Sequence, residues 1–317
     1  MESSVINPIF HENNSVSVVF SFDEEFCKYF SVTLQSIIDI ANHYTNYDLV
    51  VLTSYISENS LQRLSSQLPE NFSLRVINIK TFLDAHFPNI TLEKVGRWPI
   101  EMYFRIFIPL IMRSYKKILY LDSDLITETD ILTLFNQEFE NKKLIAVPDT
   151  LPHLKYEKGV EHLINDLKLK NIRNYFNSGV LLFNIQAIEP LNHLQNMKKT
   201  FKTTKLIFPD QDILNVIFED EVKLISNKWN YSCGVFTYAK YFLNQIEDEE
   251  YKNDFLEAKT NPKIIHFSSK LKPWNYRLIE YFDRFWYYAR KTPFYTKLLC
   301  DIKTLNISSL QEETALI

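Results

Sequence analysis

Residues 16–22, VSVVFSF, form a run rich in Val and Phe that predicts a β-strand. It ends in Asp23-Glu24-Glu25, and over residues 26–43 the apolar residues Phe30, Leu34, Ile37 and Ile38 recur at helical spacing. Residues 49–52 predict a second strand, 57–68 a helix opened by Ser57, and 74–79 a third strand. This alternation of strand and helix argues for an α/β fold with a parallel sheet and crossover helices. Residues 99–112 carry a helical pattern that Pro109 should kink or break. Further strands are expected at 118–121, 144–147, 180–183 and 263–267. Helices are expected at 131–135 and at 209–218, the latter with Pro209 at an early, tolerated position. The polar segment 150–174 reads as a helix-prone excursion over the sheet edge.

Composition changes this picture mainly by exclusion. The 317 residues are 46% hydrophobic and 23% charged, an ordinary globular balance with ample core. A net charge of −4 gives no basis for nucleic-acid binding. Only Gly96, Gly159, Gly179 and Gly234 are present, so neither a P-loop nor a G-x-G-x-x-G turn can be built. Any nucleotide phosphates must then be handled by a metal and by side chains. Cys27, Cys233 and Cys300 are odd in number and far apart, which fits a reducing compartment better than a disulfide framework. The opening residues, MESSVINPIF, lack the basic and long apolar regions of a signal peptide, and no apolar run approaches the roughly 20 residues of a membrane span. A cytoplasmic protein is expected. Residues 277–303 hold six basic residues against three acidic ones, interleaved with eight aromatics. Two readings of this tail stand side by side: a basic, aromatic segment lying on the inner face of a membrane, or helices packing their aromatics onto the main domain.

Candidate chemistry starts at residues 116–124, KKILYLDSD, where a short buried strand ends in Asp122-Ser123-Asp124. Residues one apart in extended chain point to the same side, so both carboxylates can face one point beyond the strand. Hard oxygen ligands converging there suit Mg²⁺ or Mn²⁺, and strand ends are where open α/β sheets bind ligands. The alternative is two solvated acids, with Asp124 capping the next helix. Four other segments stand out. Asp23 closes the first strand and can meet a ribose or cap the following helix. In Phe176-Asn177-Ser178-Gly179-Val180 a polar turn feeds a strand, with Gly179 permitting close backbone approach and Asn177 offering donor and acceptor to a sugar hydroxyl. Asp210 and Gln211 sit on the first, exposed turn of a helix, where at least one of the acids Asp210 and Asp212 is expected to be structural. Finally, HFSSKLKPW places His266 at a strand end, where it can complete a carboxylate metal site or be a hydrogen-bonded structural residue, and Lys272 six residues later, a cation that can offset phosphate charge.

Taken in order, VVFSFDEEF, YFRIFIP, ILYLDSD, FNSGVLLFN, PDQDILN and IIHFSSKLKPWN resemble the retaining glycosyltransferases of family 8 over residues 16 to about 275. The resemblance implies a GT-A-type, Rossmann-like sheet in a catalytic domain of residues 1–275, followed by a helical tail of 276–317. It implies a hexosyltransferase that moves galactose or glucose from a UDP-sugar to a glycan, glycolipid or glycoprotein. Asp122, Asp124 and His266 match the Mn²⁺ ligands, and Ser123 lies between them against the nucleotide. Asp23 matches the acid near uracil and ribose, Phe26 a base-stacking aromatic, and Lys272 the phosphate lysine. Arg105, Asp149, Asn177, Asp210 and Gln211 match positions around the donor sugar and reaction centre. Two departures stand out: Glu25 where Asn is common, and Ser269 for a frequent phosphate-contacting Gly. Besides this transferase, the Asp pair alone is compatible with a metal-dependent nucleotidyl- or phosphotransferase, and the fold with a carbohydrate-binding relative without turnover.

Overall fold

The computed structural model describes residues 6–10, 14–86, 99–154, 157–234 and 246–303. Strands β1 (Ser15–Ser21), β2 (Asn46–Thr53) and β3 (Phe72–Asn78) alternate with helices α1 (Cys27–Ile40) and α2 (Glu58–Ser65), and α3 (Ile79–His86) follows. Then come α4 (Ile108–Ile111), β4 (Lys117–Leu121), β5 (Leu125–Thr127), α5 (Leu132–Phe135), β6 (Leu144–Pro148) and α6 (Glu157–Glu161). The remainder is β7 (Phe176–Asn184), α7 (Pro190–Thr203), α8 (Pro209–Ile217), β8 (Val222–Leu224), β9 (Tyr231–Ser232), α9 (Glu249–Thr260), β10 (Ile264–His266), α10 (Phe282–Ala289) and α11 (Tyr295–Lys303). Among the described residues the main sheet runs β3-β2-β1-β4-β7-β6-β8, and a small second sheet runs β5-β10-β9.

Burial on both faces explains why the strands read as continuous apolar runs rather than as alternating ones. Val19, Val50, Leu52, Ile118, Tyr120 and Leu181 pack on one face with Ile111 of α4, Met197 of α7 and Leu214 of α8. Their neighbours Val18, Phe20, Leu49, Val51, Leu119 and Leu182 pack on the other with Phe30 and Leu34 of α1 and Leu64 of α2. The strand period of two thus divides one apolar sequence between two cores, with helices covering both.

All the pairings in the main sheet are parallel except those of β7, which is antiparallel to both β4 and β6. This one reversal matters for function. It carries the start of β7 to the edge where β1, β4 and β6 end. The polar residues 177–179 therefore lie inside a strand, not in a turn feeding one. The β6–β7 register shifts between Ala146 and Val147, so β7 bulges at this point and re-aims its side chains.

Two local expectations are revised in detail. The helix over 99–112 is a 3₁₀-helix, Ile100–Phe107, that passes into α4 at Ile108, with Pro109 in the first turn where its missing N–H costs nothing. Asp124 caps no helix, since it runs directly into β5.

In the tail, Phe285, Trp286, Phe294 and Leu298 are buried. Phe285, Trp286 and Leu298 pack with Val32 of α1, Ile265 of β10 and Trp274, and the Trp286 indole N–H donates to the Pro273 carbonyl at 2.9 Å. These aromatics are committed to the core. Leu278 and Tyr287 stay exposed, and residues 304–317 lie outside the described residues. No helix among the described residues is long and apolar enough to cross a membrane. Phe285→Ala is expected to lower unfolding free energy by about 3 kcal/mol in urea denaturation, the cost of a large buried cavity. A segment held on a membrane instead would leave that value unchanged.

Candidate active site

The reversal of β7 and the second sheet bring the chemistry to one cavity of about 590 Å³ at the C-terminal edge of the parallel strands. Asp23 follows β1, Asp122 follows β4, Asp149 follows β6, and Asn177 opens β7. Because β5 starts immediately after Asp124 and pairs antiparallel with β10, its first residue Leu125 lies opposite His266. The Phe267 N–H donates to the Asp124 carbonyl at 3.1 Å, which locks this apposition.

The three predicted metal ligands meet there. His266 Nε2 lies 3.1 Å from Asp124 Oδ1 and 3.5 Å from Asp122 Oδ2, and one ligand atom from each residue falls within 4.8 Å of the others. The donor set, two carboxylates and an imidazole, suits a divalent ion of the Mn²⁺ type. The backbone is shaped for it as well. A Cβ on Gly179 would stand 2.3 Å from His266 Cε1 and 2.8 Å from Asp122 Oδ2, so only glycine leaves room for the ring and carboxylate. The Gly179 carbonyl accepts the Asp122 N–H at 2.8 Å, which fixes the approach. The residues present therefore fit a metal.

Lys272 Nζ lies 2.5 Å from Asp124 Oδ2 and also donates to the Phe267 carbonyl. Burial pushes the Asp124 carboxyl up, but Lys272 and His266 outweigh it and hold its pKa well below the usual range. The acid is thus ionised and ready as a ligand at any ordinary pH.

Arg105 forms the second charged centre. It is buried, with its guanidinium 2.8 Å from Asp122 Oδ1 and 3.1 Å from Asp210 Oδ2, and it donates to the Ser178 carbonyl at 2.8 Å. Burial opposes its charge, yet the flanking Asp122 and Asp210 carboxylates raise its pKa above the ordinary value. Burial also raises the pKa of Asp210, against the pull of Arg105. Tyr120 donates to Asp122 Oδ1 at 2.8 Å, so this carboxylate is held from two sides.

The third group surrounds Asp149, whose pKa burial raises while bonds from the Leu151 N–H, Asn177 and Gln211 oppose the rise. Gln211 is held at both ends: Nε2 donates to Asp149 Oδ2 at 3.2 Å, and Oε1 accepts the Ser178 N–H at 3.1 Å. The expected exposure of Asp210 and Gln211 is corrected, since both are buried and meet the cavity from its wall. Asp212 is the structural acid of the helix start, accepting the N–H groups of Ile207 and Phe208 together with Tyr175 and His162 contacts.

Asp23, Phe26, Ser123, Ser269 and Lys272 all line the same cavity. Asp23 also accepts the Phe26 N–H at 3.1 Å, so it caps the 3₁₀ turn ahead of α1 and faces the cavity at once. Phe26 packs edge-on to Tyr29 and Trp274. Glu25 points to solvent toward Lys28 and does not line the cavity. The Ser269 hydroxyl fits because Gly234, at φ +87°, leaves room where a Cβ would stand 2.5 Å away.

Residues missed from the sequence include Tyr120, Ser178 and Asn230. Tyr120 reads as one more apolar position of a strand. Asn230 precedes a two-residue strand in a stretch with no spacing signal, and only pairing with β10 reveals it.

Comparison with known proteins gives the family and the fold. The family model described as Glycosyl transferase family 8 matches residues 17–277, and the chain belongs to that family of glycosyltransferases. Among similar proteins is a lipopolysaccharide 1,2-glucosyltransferase of Escherichia coli, 26% identical over 282 residues, covering 86% of this chain and 78% of that protein. The bifunctional glycosyltransferase WbbM superposes with a TM-score of 0.83 at 28% identity, over 95% of this chain and 53% of that one. The galactosyltransferase LgtC, in complex with donor and acceptor sugar analogs, shares the fold at a TM-score of 0.68 and 23% identity, over 88% of this chain and 96% of its own.

Proposed function

We propose that this chain is a retaining, UDP-sugar-dependent hexosyltransferase whose Asp122, Asp124 and His266 hold Mn²⁺, with Mg²⁺ as a substitute. The observation that carries the reading is the convergence of those three ligands beside Lys272 in the cavity. When bound, the ion supplies Lewis-acid stabilisation of the charge that develops on a leaving diphosphate. The chain's own residues do the rest. Lys272, paired with Asp124, carries a cation to the same place and adds to that stabilisation. Asp23 and Phe26 form the cavity wall beyond β1 and suit a ribose and a base. Arg105 holds Asp122 and Asp210 as a rigid pair, so the wall facing the donor sugar is set before substrate arrives.

Gln211 is tied through both amide atoms, which favours a positioning and charge-stabilising role over nucleophilic attack. Attack by the acceptor on the same face of the sugar as the departing diphosphate then accounts for retention. The donor is galactose or glucose, in keeping with the glucosyl- and galactosyltransferase names among similar proteins. The acceptor is a glycan, glycolipid or glycoprotein. Residues 1–275 form the catalytic part, and the tail of 276–317 serves association with the acceptor or with a membrane inner face.

The test is UDP release with UDP-galactose and UDP-glucose in the presence of Mn²⁺. EDTA is expected to abolish turnover, and added Mn²⁺ to restore it. Absence of turnover with every UDP-sugar, joined to absence of Mn²⁺-dependent UDP binding, would overturn the reading.

A further inference from the structure

We infer that Asn230 is a positioning residue that sets which ring nitrogen of His266 is presented to the metal. The inference rests on the metal reading above. Asn230 is buried at the end of the 3₁₀ turn Asn227–Asn230 that leads into β9, where Ser232 is in register with His266 and the Cys233 N–H donates to the His266 carbonyl at 2.7 Å. Its Oδ1 lies 2.8 Å from His266 Nδ1, and its Nδ2 lies 2.8 Å from Asn177 Oδ1.

The direction of this chain of bonds follows from a group that cannot be reversed. The Gly179 backbone N–H, a donor only, meets Asn177 Oδ1 at 2.9 Å. The Asn177 oxygen therefore faces both Gly179 and Asn230, and Asn230 must offer it the amide nitrogen. That turns the Asn230 oxygen toward His266, an acceptor that requires Nδ1 to carry the proton. Nε2 is then the nitrogen left to give its lone pair to a metal, and it is Nε2 that faces Asp122 and Asp124. A backbone amide of β7 thus dictates the tautomer of a histidine on another sheet. The same Asn177 reaches Asp149 through Nδ2 at 3.2 Å, so one relay ties the metal side of the cavity to the Gln211 side.

The test uses ¹⁵N-labelled, metal-free full-length protein, with the His266 ring signals assigned by their loss in His266→Gln. Spectra are taken about two units above the ordinary imidazole pKa of about 6.5. The wild type is expected to show Nδ1 protonated and bonded to Asn230. Asn230→Ala is expected to lose that preference and to bind Mn²⁺ at least about tenfold more weakly by direct titration, in line with the loss of other outer partners of metal-bound histidines. Asn230→Asp keeps an acceptor for Nδ1–H and is expected to keep the wild-type tautomer, which a purely packing role would not predict. A bare Nδ1 in the wild type, or Mn²⁺ affinity in Asn230→Ala equal to wild type, overturns the inference. A wild type that binds no Mn²⁺ yet shows the Asn230-dependent tautomer would instead defeat the metal reading and leave the role of Asn230 standing.

Discussion

Gly179→Ala is expected to remove turnover and Mn²⁺ binding together while leaving a folded protein. The added methyl would stand 2.3 Å from His266 Cε1, 2.8 Å from His266 Nδ1 and 2.8 Å from Asp122 Oδ2, so it strikes two of the three proposed metal ligands at once. Little can yield. β7 is bonded to β4 on one side, with the Asp122 N–H on the Gly179 carbonyl, and the Gly179 N–H is engaged by Asn177. His266 is equally restrained, through Asn230 and the β10 pairings on both sides. The ring or the carboxylate must therefore leave its place. Overpacking of this kind costs about 1–3 kcal/mol of stability. A displacement near 1 Å at a reacting centre costs about a hundredfold in rate, and here two ligands move, so the loss of turnover should be at least that large. UDP release and Mn²⁺ titration check the prediction, with urea denaturation as the control for folding. Turnover within a fewfold of wild type would show that the three ligands do not act together.

The sequence made the sheet legible because both faces of its strands are buried. Residues 118–121 and 180–183 are apolar throughout, and they emerge as β4 and β7. The carboxylates at the strand ends were legible for the same reason, each marking where an apolar run stops. What was hidden depends on direction and on distant pairing. Nothing in residues 176–184 says that β7 runs against its neighbours, yet that reversal is what brings Asn177 beside Asp149. Asp210 and Gln211 look like a solvated first turn, since acids there suit any helix. Only the packing of α8 against the 3₁₀-helix that carries Arg105 buries them. The tail was ambiguous for a different reason. Its aromatics suit a membrane or a core equally well by composition, and only the position of α10 over α1 commits Phe285 and Trp286 to the core.

Arg105→Ala is expected to destabilise the protein by about 3–5 kcal/mol, because it strands buried charge rather than merely removing a contact. The guanidinium is shared between Asp122 and Asp210, lies 4.6 Å from the Tyr120 ring centre, and also donates to the Ser178 carbonyl. Without it, Asp210 keeps the burial that already raises its pKa and loses the opposing cation. The sign of the pH dependence follows. An acid whose pKa is higher folded than unfolded makes the folded state bind more protons between the two values, so stability falls as pH rises through that window. The deficit of Arg105→Ala should therefore be greatest near neutrality and shrink as pH falls to below the unfolded value of about 3.9, where Asp210 is neutral in both states. Arg105→Lys restores one charge but not the fork that spans two carboxylates, and should recover only part of the loss. Urea denaturation of both variants and wild type across this pH range is the measurement. A deficit independent of pH would place the contribution of Arg105 in packing and hydrogen bonding, and not in holding the Asp122–Asp210 pair.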